Sequence, residues 1–354
     1  MKMLFVGNFS LPGEHREYCL MQALKDLGVH VDALDVLKDG RRLRRPLAGQ
    51  FALRAGKMPW EAYDVFHVPA AIVAASLAKY RRRGAKVVYD CRGLRYAEIA
   101  MRGLRGLGRL RVPVMRALER RAAKRCDLCI TVSGPLRDWL ADVRGGAAGL
   151  EIIRNGVDAD LFAPAPGGRA SDGFLVGYAG QFQNWQAVDL LIDAARLLAD
   201  EPGLRWRIIG FRDADRDIKR RFAETLPAGA ELIDRCDRET LSGLLGECDL
   251  LTIPRKPYLA CQVAMPIKFA EYLAMGKPVL VNTVDETQHI VRDVGCGFVA
   301  ESDPRAMADA IRRAARTPPE QIRAMGQAGR DHATANLTWD VIGPRYKAFL
   351  EANL

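Results

Sequence analysis

MPIKFAEYLAMGKPVL, residues 265–280, decides how the rest of this chain is read. Pro266 suits the passage from a loop into a helix, and Phe269, Tyr272, Leu273 and Met275 recur at the spacing of one apolar helical face. Gly276 supplies the helix stop, Pro278 follows it, and Val279-Leu280-Val281 begins a buried strand. Lys268 and Glu271 place an ammonium and a carboxylate on neighbouring faces near the N-terminal turn. A helix start with a lysine beside it is a good seat for a phosphate. An amphipathic helix with a solvated Lys–Glu pair satisfies the same residues.

Working outward, the strand Asp249–Ile253 runs into Pro254-Arg255-Lys256 just before this stretch. Upstream lie a strand at Phe174–Tyr178, Gly180, the loop Gln181–Gln186, a helix from Ala187, and strands at Arg205–Ile209 and Glu231–Ile233. A short helix at Thr240–Gly246, a last strand at Gly297–Val299 and helices over 304–316 and 319–336 complete the series. The first half alternates in the same way. Strands are expected at Leu4–Val6, Val29–Val36, Tyr63–Val68, Val87–Tyr89, Leu128–Val132 and Ile152-Ile153, with helices over 16–28, 70–83 and 135–140. Residues 160–173, DLFAPAPGGRASDG, read as a linker. The expectation is α/β: two doubly wound domains, 1–165 and 166–339, with a tail helix after Trp339 in which Pro344 is tolerable only near the start.

The first loop lacks G-x-G-x-x-G, so the nicotinamide fingerprint is absent. Gly13 either lets backbone approach a phosphate or is a plain turn glycine. Asp90 and Arg92 follow a parallel strand at its carboxyl end, where polar groups face the binding crevice of such sheets or merely cap the next loop.

At 354 residues, with 49% apolar and 27% charged content, the chain has material for two globular cores. No apolar run approaches the roughly 18–20 residues of a membrane span, and MKMLFVGNF enters a strand directly, so a cytoplasmic location is expected. The eight cysteines are scattered; Cys126 and Cys129 read as buried thiols rather than a metal or redox pair. The net charge of +10 is lopsided: residues 1–165 hold 29 Lys/Arg against 17 Asp/Glu, and residues 166–354 hold 24 against 26. Residues 38–58 read as an irregular basic loop. Residues 92–125 carry eleven Lys/Arg and two acidic residues, with Leu104, Leu107, Leu110, Val114 and Leu118 at helical steps. That pattern is either a membrane-surface element or a core-facing helix with solvated arginines, split in two by Pro113 and glycines. Aromatics for stacking on bases are nearly absent, which argues against nucleic acid.

Four stretches together resemble the retaining glycosyltransferases of the GT-B fold, specifically glycosyltransferase family 4. They are CDLCITVSGPLRDWL, IIRNGVDADLFAP, VGYAGQFQNWQAVDLLIDAARLL and MPIKFAEYLAMGKPVL, in the family's order. The resemblance implies two facing Rossmann-like domains with an interdomain cleft, and a tail helix, 340–354, packed on the first domain. It implies a nucleotide-diphosphate sugar held mainly by the second domain and an acceptor on the first. Glu271 then binds the ribose hydroxyls. Backbone at Ala264, Met265, Pro266 and Ile267 approaches the sugar and diphosphate, beside Gly180 and Gln181. Lys268, Arg255 and Lys256 face the diphosphate; Asp90, Arg92 and Lys268 stand as catalytic candidates; Asn155 and Gly156 form the hinge. No cofactor or metal is expected, and the strings Asp158–Asp160 and Asp213–Asp217 read as solvated charge.

The chain departs from the family pattern at three places. Val263 stands where a second glutamate is frequent, Gln183 and Gln186 where cations are frequent, and Asp90-Cys91-Arg92 where a histidine is frequent. The expected activity is sugar transfer with retention to a saccharide, lipid-linked acceptor, in cell-surface polysaccharide or glycolipid assembly at the inner membrane face. A soluble transferase acting on a small molecule and a non-catalytic nucleotide-sugar binder are the alternatives.

Overall fold

The computed structural model describes residues 1–7, 16–35, 42–45, 50–53, 58–80, 84–103, 106–164 and 173–354. In the first half, Lys2–Gly7 is β1, Arg16–Asp26 α1, His30–Asp35 β2, Arg42–Arg45 β3, Gln50–Leu53 β4, Val65–Val68 β5, Ala71–Tyr80 α2 and Lys86–Cys91 β6. Arg95–Ala100 (α3), Arg111–Arg125 (α4), Leu128–Thr131 (β7), Gly134–Arg144 (α5) and Leu150–Ile152 (β8) follow. Six of these strands make one parallel sheet in the order β2-β1-β5-β6-β7-β8. Its central strands are apolar because both faces are covered. Ser133 caps α5 by accepting the Leu136 N–H at 3.3 Å, and Pro135 occupies the first turn.

Two details differ from expectation. The basic segment 38–58 contains an antiparallel hairpin, β3 with β4. Backbone pairing satisfies itself whatever the side chains are, so a charged stretch without strict alternation conceals it. The basic stretch does form two helices, α3 and α4, as expected, but Pro113 is not the break: it sits in the first turn of α4, where its missing N–H costs nothing.

In the second half, Phe174–Ala179 is β9, Val188–Arg196 α6, Leu204–Phe211 β10, Arg216–Thr225 α7, Glu231–Asp234 β11, Arg238–Gly246 α8 and Leu250–Ile253 β12. Leu259–Gln262 (α9), Ile267–Ala274 (α10), Val279–Asn282 (β13), Thr287–Val294 (α11), Gly297–Ala300 (β14), Pro304–Arg316 (α12), Pro319–Asn336 (α13) and Trp339–Glu351 (α14) complete the chain. The second parallel sheet runs β11-β10-β9-β12-β13-β14. α7 and α11 are absent from the pattern reading because charged and polar residues dominate both; Phe222 is the buried residue of α7, and Thr287 and Val291 are those of α11. α10 buries Phe269, Ala270, Tyr272, Leu273 and Ala274, the face that its spacing predicts.

The described residues form two compact units, Met1–Gly156 with Trp339–Leu354, and Val157–Thr338. In the first unit α14 packs on α1, and Ile342, Tyr346 and Leu350 enter a core with Phe5, Leu20, Leu24 and Val65. Pro344 lies inside α14 rather than at its start. The carbonyl it leaves without a helical donor, that of Asp340, is on an exposed residue of the first turn. The boundary falls at Gly156/Val157, ahead of the 165/166 position expected from composition. Val157 already belongs to the second unit: it bridges Thr338 and its N–H donates to the Leu337 carbonyl at 2.8 Å.

Gly156 packs under the Trp339 indole, so closely that a Cβ there would overlap the ring. Gly156→Ala is therefore expected to destabilise the first unit by about 1–3 kcal/mol through overpacking. A lowered urea midpoint with unchanged slope checks this; an unchanged midpoint contradicts it.

Candidate functional site

In the second unit, polar side chains gather where β9, β12 and β13 end. β9 passes into Gly180, whose φ is +149° and where a Cβ would lie 2.6 Å from Lys268 Nζ. Glycine leaves room for that ammonium. Lys268 Nζ also sits 4.4 Å from the centroid of the Tyr178 ring and donates to Gln186 Oε1 at 3.3 Å. Burial pushes the Lys268 ammonium down to about 7; Arg255 adds to the depression and Glu271 opposes it. Tyr272 ties α10 to β9, accepting from the Ala179 N–H at 3.0 Å. Pro266 is the N-cap of α10 and has no capping side chain.

Arg255 follows β12 and is buried. Its N–H donates to Asn282 Oδ1 at 2.8 Å, its Nη2 to the Cys261 carbonyl at 3.4 Å, and its Nε lies 3.2 Å from Asp285 Oδ2. Lys256 is drawn to α6, with Nζ 3.7 Å from Asp189 Oδ2. Glu271 is 12% exposed at its side chain, and its Oε1 accepts from Arg238 Nη2 at 3.3 Å. Burial raises the Glu271 pKa; Arg238 and then Lys268 pull it back. Among the described residues its Oε2 carries no hydrogen bond. Cations, a helix N-terminus and a carboxylate with one uncommitted oxygen thus share one end of the sheet, a set able to hold an anion joined to a hydroxylated ring.

Ala264 is half-buried, Met265 buried, Ile267 exposed, and Gln181 exposed with its carbonyl accepting from Tyr178 Oη at 3.1 Å. Val263 is buried. Gly13 lies outside the described residues.

The first unit holds a second polar cluster, at the ends of β5 and β6. Asp90 was expected to point into a crevice; it lies within β6 and is 0% exposed. Arg16 Nε is 3.1 Å from Asp90 Oδ2, His67 Nε2 3.4 Å and Arg92 Nε 3.9 Å. Burial opposes the charge, but Arg16, His67 and Arg92 outweigh it and hold the Asp90 carboxyl well below the usual range. Arg16 also donates to the carbonyls of Ile153 (2.7 Å) and Arg154 (2.5 Å) and reaches Asn155 Oδ1 at 3.4 Å. Asp90 is thus enclosed as the counter-charge of an anchor, because the strand runs two residues further than the pattern suggested, to Cys91, and carries it inside. Arg92 is the partly exposed member, paired with Glu17 Oε1 at 2.8 Å. His67 stacks on Phe5 at 4.1 Å and shares a 2.8 Å hydrogen bond with Tyr346 Oη.

Of the Asp-x-Asp strings, Asp158 Oδ1 accepts from the N–H groups of Asp160 and Leu161, and Asp213 and Asp215 pair with Arg216 and Arg212. Among the described residues no group of three or more His, Cys, Asp or Glu is placed to hold a metal ion.

Two parallel Rossmann-like sheets, each with helices on its faces and polar groups at strand ends, define the GT-B class. Family comparisons agree with the geometry: the model for glycosyl transferases group 1 matches residues 173–317, and that for Glycosyltransferase Family 4 matches residues 10–161. The chain belongs to the GT-B-fold glycosyltransferases related to family 4. It is 27% identical over 68% of its length to the GDP-mannose-dependent alpha-(1-6)-phosphatidylinositol monomannoside mannosyltransferase of Mycobacterium tuberculosis, covering 66% of that protein. It is 30% identical over 53% of its length to the D-inositol 3-phosphate glycosyltransferase of Streptomyces scabiei, covering 45% of it. The fold superposes on sucrose-phosphate synthase from Thermosynechococcus elongatus with a TM-score of 0.75 at 17% identity, over 99% of both chains.

Sequence reasoning missed Arg238, Asp285, Arg16 and His67. Their partners are distant along the chain, as Arg238 and Glu271 are, and nothing in local spacing links them. The only local signal at Arg238 is Asp237, which caps α8 by accepting the Thr240 N–H at 2.7 Å.

Asp90→Ala leaves Arg16 buried without its carboxylate, so a loss of about 3–5 kcal/mol is expected in denaturant unfolding. The Lys268 burden has a definite pH signature. Below about pH 7 the amine is charged both folded and unfolded, and the fold bears the full cost. As pH rises from about 7 toward 10.5 the folded amine is neutral while the unfolded one stays charged, so wild type gains stability. The stability of Lys268→Met relative to wild type should therefore decline over that window; a pH-independent difference contradicts the assignment.

Proposed function

We propose that the protein transfers a sugar, with retention, from a nucleotide-diphosphate sugar to a saccharide acceptor, lipid-linked, in cell-surface polysaccharide or glycolipid assembly. The observation that carries this is the placement of Lys268 and Glu271 together in the first turns of α10, with Arg255 acting on the same ammonium. Glu271 accepts the ribose diol, for which a carboxylate has two oxygens. Lys268, Arg255 and the α10 N-terminus receive the diphosphate and stabilise the charge that grows on it as the glycosidic bond breaks. Lys256 is held toward Asp189 and adds positive potential rather than a first contact. The acceptor oxygen bonds to the anomeric carbon on the face the phosphate leaves, the carbon–phosphate oxygen bond breaks, and the acceptor proton passes to the departing phosphate. Diphosphate binding favours the charged amine, so donor affinity should fall as pH rises above about 7.

The names of the two relatives support an inositol-containing, anionic acceptor. A membrane-borne one accords with the first half's charge. On α4, Met115, Glu119, Ala122 and Ala123 face inward while Arg116, Arg121 and Lys124 are exposed, and Leu110 before it is 50% exposed. No described helix is long and apolar enough to cross a membrane. Contact with the inner face is therefore peripheral, through residues 92–125. The D-inositol 3-phosphate relative supports the second reading, a water-soluble acceptor. The buried aliphatic Val263 supports a third, nucleotide-sugar binding without transfer.

A thermal-shift panel of GDP- and UDP-sugars is the first test. One nucleotide at about 100 times its Kd should stabilise wild type by about 2.7 kcal/mol and leave Glu271→Ala unmoved; no stabilisation of wild type by any of them overturns the donor site. Product analysis with lipid-borne and soluble acceptors then separates the three readings. Co-sedimentation with phosphatidylcholine vesicles should increase with added phosphatidylglycerol and decrease with salt; independence of anionic lipid removes the membrane step.

A further inference from the structure

One arginine outside the expected site reaches the carboxylate of Glu271. The segment that enters the second unit carries Phe162, which is fully buried. The Arg238 guanidinium lies over that ring, 5.0 Å from its centroid. From there Arg238 Nη2 reaches Glu271 Oε1 at 3.3 Å. A second bond fixes the same geometry: Ser242 Oγ, one turn along α8, donates to the Leu161 carbonyl at 2.6 Å. α8 is thereby clamped to residues 161–162 at two points. Arg238 has an aromatic platform on one side and a carboxylate at its tip. We infer that Arg238 is a positioning residue for nucleotide binding: it holds Glu271 ionised and turned so that Oε2 stays available to the ribose diol of a nucleoside diphosphate.

This inference rests on Glu271 being the ribose ligand. The physical need is clear from the site. A carboxylate accepts both hydroxyls of a vicinal diol only when ionised, and burial disfavours that state. The charged groups facing Glu271 are Arg238 from α8 and Lys268 from its own helix. Arg255, beyond β12, acts on Lys268, and Arg330 of α13 donates to the Ala274 carbonyl. Burial lowers the Lys268 ammonium to about 7, whereas a guanidinium stays charged throughout, so Arg238 is the constant cation of the pair. The flat guanidinium stacked on Phe162 also fixes direction, which a flexible ammonium does not.

The test measures GDP and UDP affinity by calorimetry from pH 5 to pH 8 for wild type, Arg238→Ala, Arg238→Lys and Glu271→Ala. Melting temperatures confirm folding. In wild type the nucleotide that binds should lose affinity as pH falls, through protonation of Glu271. Arg238→Ala should move that acid limb up by about one pH unit, a loss of about tenfold at the acid end that closes toward pH 8. Arg238→Lys should restore the limb's position but not the full affinity. A loss in Arg238→Ala that is the same at every pH, or no loss, overturns the inference. Absence of binding by wild type, or full affinity in Glu271→Ala, overturns the donor-site reading on which it rests. If Arg238→Ala does not fold, the 13C-carboxyl titration of Glu271 in Arg238→Gln and wild type decides: an upward displacement in Arg238→Gln supports control by this cation, and coincident curves contradict it.

Discussion

A parallel strand covered by helices on both faces has only its ends free for polar chemistry. Both sheets of this protein obey that constraint, and it places the two polar clusters described above. β9, β12 and β13 are buried along their lengths, so Lys268, Arg255 and Glu271 collect where they end. In the first unit the same holds for Arg16, His67, Asp90 and Arg92 around β5 and β6. The two clusters then diverge. The first is closed: Asp90 is engaged by three cationic or imidazole groups, and Arg16 spends its remaining donors on the carbonyls of Ile153 and Arg154. The second is open: among the described residues its ammonium donates to Gln186 rather than to a carboxylate, and its carboxylate keeps one oxygen in reserve.

That contrast separates anchoring from binding. A buried charge with all its partners in place stabilises one arrangement and offers nothing to a ligand. A buried charge with an unfilled coordination is costly until something arrives, and the depressed Lys268 and raised Glu271 are two expressions of that cost. The Tyr178 ring under Lys268 and the Phe162 ring under Arg238 supply compensation that does not consume hydrogen-bonding capacity. These groups are the ones that the proposed function assigns to an anion carrying a hydroxylated ring.

Much of this was legible in the linear chain. Apolar runs punctuated by Gly180, Gly276 and Pro278 marked strands and their exits, and the Lys268–Glu271 spacing marked the helix that carries the site. What escaped has physical causes. α7 and α11 are made mostly of charged and polar residues, which read as loop when scanned for apolar runs. The β3–β4 pairing is a backbone event in a charged segment. Asp90 was read as lying beyond its strand, at the binding crevice or capping the next loop, because composition does not mark where a strand ends.

The sequence by itself determined the class of fold, the family, and which helix presents a cation and a carboxylate together, because those depend on periodicity and on residues close along the chain. Tertiary structure alone decided which charges are spent and which are available. It brought Arg238 to Glu271, Asp285 to Arg255 and Arg16 to Asp90, pairings that local spacing cannot encode. The reason is that a charge's chemistry is set by its desolvation and its partners, and both are properties of the packed chain.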